Sequence, residues 1–161
     1  MSCKEQLTTY LSERQVPFTI HDHQIAYTAE DVAAVEHIPG RLVAKAVMGF
    51  ADDQLVMLLL PATYVVDRAQ AATALGAREV RLAAEHEFTA VFPDCEIGAL
   101  PVFGNLYHVP LYVDTSLTAD ETITFPAGTH TESITMRYAD FERLAKPTIV
   151  DVARQKAGFT A

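Results

Sequence analysis

The chain has 161 residues, half of them hydrophobic and 20% charged, with a formal net charge of −9. That is the length of about one domain with enough apolar content for a sizeable core, which excludes a disordered chain. The acidic balance argues against a DNA- or RNA-coating protein, which relies on neutralising phosphates, and no apolar run approaches the roughly 18 residues of a membrane span.

Ser2-x-x-Glu5 predicts a capping box, and Cys3, Leu7, Tyr10 and Leu11 then mark one helical face. This opening has no apolar signal region and points to a cytoplasmic protein. After Pro17, "FTIHDH" (18–23) predicts a short strand. Thr28 with Asp31 starts a second helix, "AEDVAAVEHI", closed by Pro39 and Gly40. "LVAKAVMGF" and "LVMLLLP" predict a central hairpin turning at "ADDQ". Asp67-x-x-Gln70 opens a helix with Gly76 at its C-terminal cap. A strand in "AREVRLA" and a short helix in "AEHEFTAVF" follow, the latter stopped by Pro93. Residues 93–110 carry three prolines and two glycines, a long apolar connection of the kind that tends to be functional. Strands in "LYVD", "ETITFPAG" and "TESITMR" and a helix in "YADFERLA" complete one mixed α/β domain.

Within the first hairpin strand, period two puts Val43, Lys45 and Val47 on one face and Ala44, Ala46 and Met48 on the other. An ammonium between two valines either snorkels to water or points into a polar cavity. The glycines of "EIGALPVFG" can expose backbone N–H groups to an ester or an oxyanion, or simply make tight turns. His21 and His23 have the spacing of a metal pair, but no third ligand is evident, so no metal is expected. No cofactor fingerprint occurs. His130, in "AGTHTES", is a candidate for lining a pocket. Asp114 can either bind a ligand or cap the turn after its strand. Cys3 and Cys95 form no C-x-x-C pair and are expected to be free, reduced thiols, with Cys95 buried. The absence of a G-x-S-x-G elbow argues against a serine hydrolase.

Taken in order, "FTIHDH", "YTAEDVA", "VAKAVM", "LVMLLLPATYVVDRAQAATALGAREVRLA", "EIGALPVFG", "LYVDTSL" and "FPAGTHTESITM" resemble the YbaK / prolyl-tRNA synthetase-associated (INS-like) trans-editing domain family. The resemblance implies one editing domain over residues 1–161, a mixed α+β fold in which helices surround a curved mixed central sheet. It implies a free-standing deacylase for mischarged aminoacyl-tRNA: alanyl or cysteinyl esters on the tRNA for proline, or a seryl/threonyl type. The family's functional lysine matches Lys45 and its substrate-loop glycine matches Gly98, which makes these two the catalytic candidates. Ala99, Leu100, Pro101 and Val102 of the loop, with His130 and His23, are the implied substrate-binding set, and Asp114 joins it through the ligand-binding alternative of its own strand end. Val102 stands where the family's loop proline is expected, and Pro101 sits one place earlier. The implied partners are the acceptor end of aminoacyl-tRNA and an aminoacyl-tRNA synthetase, with no cofactor, no DNA and no membrane. Catalysis in such a family rests on positioning, a ribose hydroxyl of the terminal adenosine helping water to attack. The rival reading is a non-catalytic tRNA- or synthetase-binding module that uses the same pocket.

Overall fold

A computed structural model describes residues 2–156. The three helix starts predicted from capping residues are each made by the side chain that the sequence puts there. Ser2 Oγ accepts the N–H of Glu5 at the head of α1 (Cys3–Glu13), and Thr28 Oγ1 accepts that of Asp31 at the head of α2 (Ala29–Glu36). Asp67 caps α3 (Arg68–Leu75) through Gln70, and Gly76 ends it at φ +68°. These caps satisfy donors that the first helical turn leaves free. Helix α2 ends two residues earlier than expected, at a left-handed His37 rather than at Pro39 and Gly40.

Strand β1 (Phe18–Asp22) precedes α2, and the hairpin of β2 (Ala44–Ala51) and β3 (Gln54–Pro61) follows it in full register, with Lys45 opposite Leu60. Asp52 takes a left-handed conformation (φ 55°) in the turn, and its carboxylate accepts the N–H groups of Arg78 and Glu79. Aspartate tolerates that backbone and anchors the turn to β5 (Val80–Leu82), which pairs with β2. Beyond β3, β4 (Tyr64–Val66) is followed by α3 and β5, and α4 (Glu85–Phe88) precedes the connection to β6 (Leu111–Asp114). The hairpin of β7 (Thr122–Thr129) and β8 (Glu132–Arg137), α5 (Tyr138–Ala145), β9 (Thr148–Val150) and β10 (Ala153–Gln155) complete the described chain.

The main sheet runs β5-β2-β3-β6-β9, antiparallel on the β5 side and parallel from β3 to β9. A second sheet, β1-β8-β7, is joined to it by a parallel bridge between Val43 and Thr124, while β4 pairs with β10. Strand β3 explains its unbroken apolar sequence by being covered on both faces. Met57 and Leu59 enter the main core with Phe103, Phe125 and Phe141, whereas Val56, Leu58 and Leu60 pack with Ala153 on the other side. The expected alternation of β2 holds: Ala44 and Met48 belong to the main core, Val43 packs with α2 and Val47 with the β10 side.

Three departures from the sequence reading stand out. The short strands β4, β9 and β10 had no recognisable alternation. The 93–110 segment is part of the core, with Ala99, Leu100, Val102 and Phe103 each at most 5% exposed. Cys3 and Cys95 are not free thiols: they form a disulfide that joins the start of α1 to this segment.

Candidate active site

Gly98 is the exposed corner of the 93–110 segment. Its φ of +89° is a region that side chains rarely adopt, and a Cβ there would lie 3.3 Å from His130 Cε1 and 3.5 Å from the Tyr27 carbonyl. The corner is held against β7 by hydrogen bonds from Glu96 N to Gly128 O (2.9 Å) and from Gly128 N to Ala99 O (3.0 Å). A bulge between Pro126 and Thr129 displaces the end of β7 and leaves His130 and Thr131 as the tight turn into β8.

Three segments meet at that turn. His130 N donates to Glu96 Oε2 at 3.1 Å, and the same oxygen lies 3.5 Å from the His130 Nε2. The Tyr27 ring, itself 64% exposed, tilts over His130 with a 5.0 Å centroid separation. The backbone N–H groups of His23 and Ala26 donate to the carbonyls of Thr131 and His130. His130 Nδ1 and His23 Nε2 are buried and without a hydrogen-bond partner among the described residues. Buried ring nitrogens normally find a partner, so this pair is the unusual polar feature of the turn.

Tyr27 leads directly into α2, and this connects the turn to the lysine. Glu30, in the first turn of α2, accepts Lys156 Nζ at 3.0 Å. Lys45 lies on β2 next to this pair, half-buried, with Nζ donating to the Ala62 carbonyl at 3.3 Å. Burial lowers the Lys45 pKa from its ordinary 10.5, Glu30 opposes the shift, and the positive charge of Lys156 adds to it. Lys45 therefore neither snorkels freely nor sits in an apolar core. It is held half-buried, with the charges of Glu30 and Lys156 both acting on it.

The structure thus brings Gly98, His130 and the backbone of His23 together. Lys45 is linked to them through the short 27–30 stretch at the start of α2. It does not give the other candidates side chains for binding. Ala99, Leu100 and Val102 point into the core, Pro101 is buried with them, and the segment can act through the backbone at Gly98. Asp114 takes the capping alternative: Oδ1 accepts the N–H groups of Val152 and Ala153, both at 2.9 Å, and Oδ2 accepts Ser116 N and Oγ. With its oxygens committed, Asp114 fastens the β9–β10 turn to the end of β6. Replacing Asp114 with Ala should cost about 2–3 kcal/mol by leaving two buried donors unpaired, read as a lower melting temperature in calorimetry. His21 is engaged by Thr135 Oγ1 at 3.1 Å and faces Glu36. Among the described residues no three His, Cys, Asp or Glu side chains gather as a metal site.

Tyr27, Glu30 and Glu96 were missed by the sequence reading. Tyr27 carried the best signal, an aromatic residue immediately before an N-cap that a buried helix face has no use for. Glu30 and Glu96 look like ordinary surface carboxylates until the fold places them.

One mixed α+β domain thus carries a left-handed glycine corner set against a histidine turn, and a half-buried lysine linked to them through the start of α2. Comparison with known proteins shows the class to which this domain belongs. The chain belongs to the aminoacyl-tRNA editing domain family, whose model matches residues 23–144 and so spans Lys45, Gly98 and His130. It is 29% identical over 156 residues to the multifunctional Ser/Thr-tRNA deacylase ProXp-y of Escherichia coli strain K12, covering 93% of this chain and 92% of that protein. In fold it is similar to the crystal structure of a proposed trans-editing enzyme for prolyl tRNA synthetase, with TM-score 0.80, 16% identity, and 96% and 98% of the two chains covered. A crystal structure of a hypothetical protein matches with TM-score 0.83 and 14% identity over 92% of this chain and 99% of that one.

Proposed function

We propose that this protein hydrolyses the aminoacyl ester of mischarged tRNA, with seryl and threonyl esters as its preferred substrates. The observation that carries the reading is the meeting of Gly98, His130 and Tyr27 at one corner, with Lys45 reached through the first turn of α2, all inside the matched editing domain. The E. coli relative's description as a Ser/Thr-tRNA deacylase favours hydroxylated amino acids over alanine or cysteine.

In this reading the backbone around Gly98 holds the amino-acid end, with the His130 turn and the His23 backbone fixing the shape of that corner. Water attacks the ester carbonyl, a tetrahedral oxyanion forms, and the carbon–oxygen bond to the ribose breaks. The ribose oxygen takes up a proton, and free amino acid and tRNA leave. Lys45 supplies positive charge to the terminal phosphate or the developing oxyanion, and a preorganised charge of this kind needs no reorganisation during the reaction. An editing enzyme is needed because a synthetase pocket separates near-isosteric amino acids by only about 1–3 kcal/mol.

The net charge of −9 restricts binding to a local contact with the acceptor end, and such binding weakens with salt. The substrate would place the protein in the cytoplasm. A synthetase that releases mischarged tRNA is the partner chemistry this activity implies.

The test is a panel of seryl-, threonyl-, alanyl- and cysteinyl-tRNAs incubated with the protein. The proposal expects the first two to be deacylated fastest. Binding of all four with hydrolysis of none would replace the enzyme with a tRNA-binding module. Gly98→Ala should slow the reaction by about 10²-fold by displacing His130 and the loop amides, and should cost about 1–2 kcal/mol for a side chain at positive φ. Unchanged turnover in that variant would remove the loop from the site.

A further inference from the structure

The disulfide has no part in the chemistry just described, yet it sits three residues from Gly98. Cys3 is the first residue of α1 and only 1% exposed, whereas Cys95 is partly exposed at the start of the glycine corner. Between them and the site lies Gly128, where even a Cβ would come within 2.5 Å of Cys3 Sγ and 2.8 Å of its Cβ. The same Gly128 accepts from Glu96 N and donates to Ala99 O, the two hydrogen bonds that hold the Gly98 corner. Lys4, next to Cys3, pairs with Glu132 on β8, and Thr129 Oγ1 donates to Glu132 at 3.2 Å. The Tyr107 hydroxyl lies 3.6 Å from Cys3 Sγ and 3.4 Å from Cys95 Sγ. A single constellation therefore ties the helix start, the bulged end of β7 and the Gly98 loop together.

We propose that Cys3 and Cys95 form a reversible thiol–disulfide site that sets the order of the Gly98 loop, clamped when oxidised and loosened when reduced. The functional consequence, faster ester hydrolysis in the oxidised form, rests on the deacylase reading. Two thiols cannot share the space of a bonded sulfur pair, and on the β7 side Gly128 leaves no room for them to separate. Reduction therefore pushes Cys95 away from Cys3, and with it the segment that carries Glu96 and Gly98.

The exchange is balanced by a dithiol reductant. One of its thiolates attacks Cys95 Sγ, the more accessible sulfur; the disulfide breaks, and Cys3 leaves as a thiolate that takes a proton. Burial raises the Tyr107 pKa, which keeps its phenol protonated and able to donate to the departing sulfur. The second thiolate of the reductant then displaces Cys95, which is protonated in turn. Two electrons and two protons pass to the protein, and the reductant ends as a disulfide. A low-molecular-weight disulfide drives the reverse reaction.

The test compares the oxidised protein with the same protein treated with dithiothreitol, by amide hydrogen exchange. Reduction should raise exchange at Glu96 and Gly128 by about tenfold or more while the amides pairing β2 with β3 keep their protection. Cys3→Ser should show the reduced pattern and ignore dithiothreitol; reduced wild type gives the same readout without any substitution. Equal exchange in both forms, a uniform rise across β2 and β3, or a native disulfide that dithiothreitol does not open would each overturn the proposal. Seryl-tRNA hydrolysis, measured in parallel, should be several-fold faster in the oxidised form. Loss of exchange control with hydrolysis intact sinks the clamp alone; a redox-dependent loop in a protein that deacylates nothing sinks the deacylase reading alone.

Discussion

Lys45→Ala should lower the rate of seryl- or threonyl-tRNA hydrolysis by about 10²- to 10³-fold, the usual effect of removing one preorganised electrostatic group. The fold should be left standing, because Lys45 does little for it. Among the described residues its ammonium donates to Ala62 O at 3.3 Å, and burial works against its charge. A lysine with a depressed pKa binds its proton less tightly folded than unfolded. The unfolded state then holds more protons between the folded pKa and 10.5, so stability rises with pH across that alkaline window. Lys45→Met removes this dependence and should be as stable as wild type at neutral pH or more so, with activity lost. Lys45→Arg should rescue poorly, since the planar guanidinium is a larger and differently shaped donor than an ammonium held beside Glu30 and Lys156. Full activity in Lys45→Ala would remove this residue from the mechanism. A large loss of stability would make it a structural residue.

Cys3→Ser should destabilise the protein by about 2–5 kcal/mol relative to the oxidised wild type, the range for removing a native disulfide. The bridge closes a loop with a sequence separation of 92, which strongly restricts the unfolded chain. In a domain of this length the loss corresponds to a fall in melting temperature of about 2–4 °C per kcal/mol. Reduced wild type should melt close to the variant, and Cys95→Ser should match Cys3→Ser, because either substitution breaks the same bond. Coincident melting of oxidised wild type and both variants would show that the bond constrains nothing.

These two residues illustrate what the sequence made legible. Lys45 stood out because a cation at a buried position of a period-two strand conflicts with its surroundings, and such conflicts mark sites. Its neighbours could not be read, since Glu30 and Lys156 are brought to it by α2 and by the segment after β10. The helix starts were legible because Ser2, Thr28 and Asp67 bond to the residue three positions ahead, a local event. Asp114 bonds to Val152 and Ala153, and no local rule connects residues so far apart. The disulfide was misread for the same reason: nothing in the spacing of Cys3 and Cys95 signals that α1 folds back onto the glycine corner. The 93–110 segment was correctly singled out as more than a linker. Most of it earns its apolar composition by filling the core around Phe103, with Gly98 as the exposed remainder.

The central claim is that the Gly98–His130 corner and Lys45 act together on an aminoacyl ester. It is tested most directly by following release of labelled serine from intact seryl-tRNA in a single turnover, for wild type, Lys45→Ala and Gly98→Ala. The account predicts rapid release by wild type and strongly slowed release by both variants, all three remaining folded. Release by none of the three, or equal release by all of them, would contradict it.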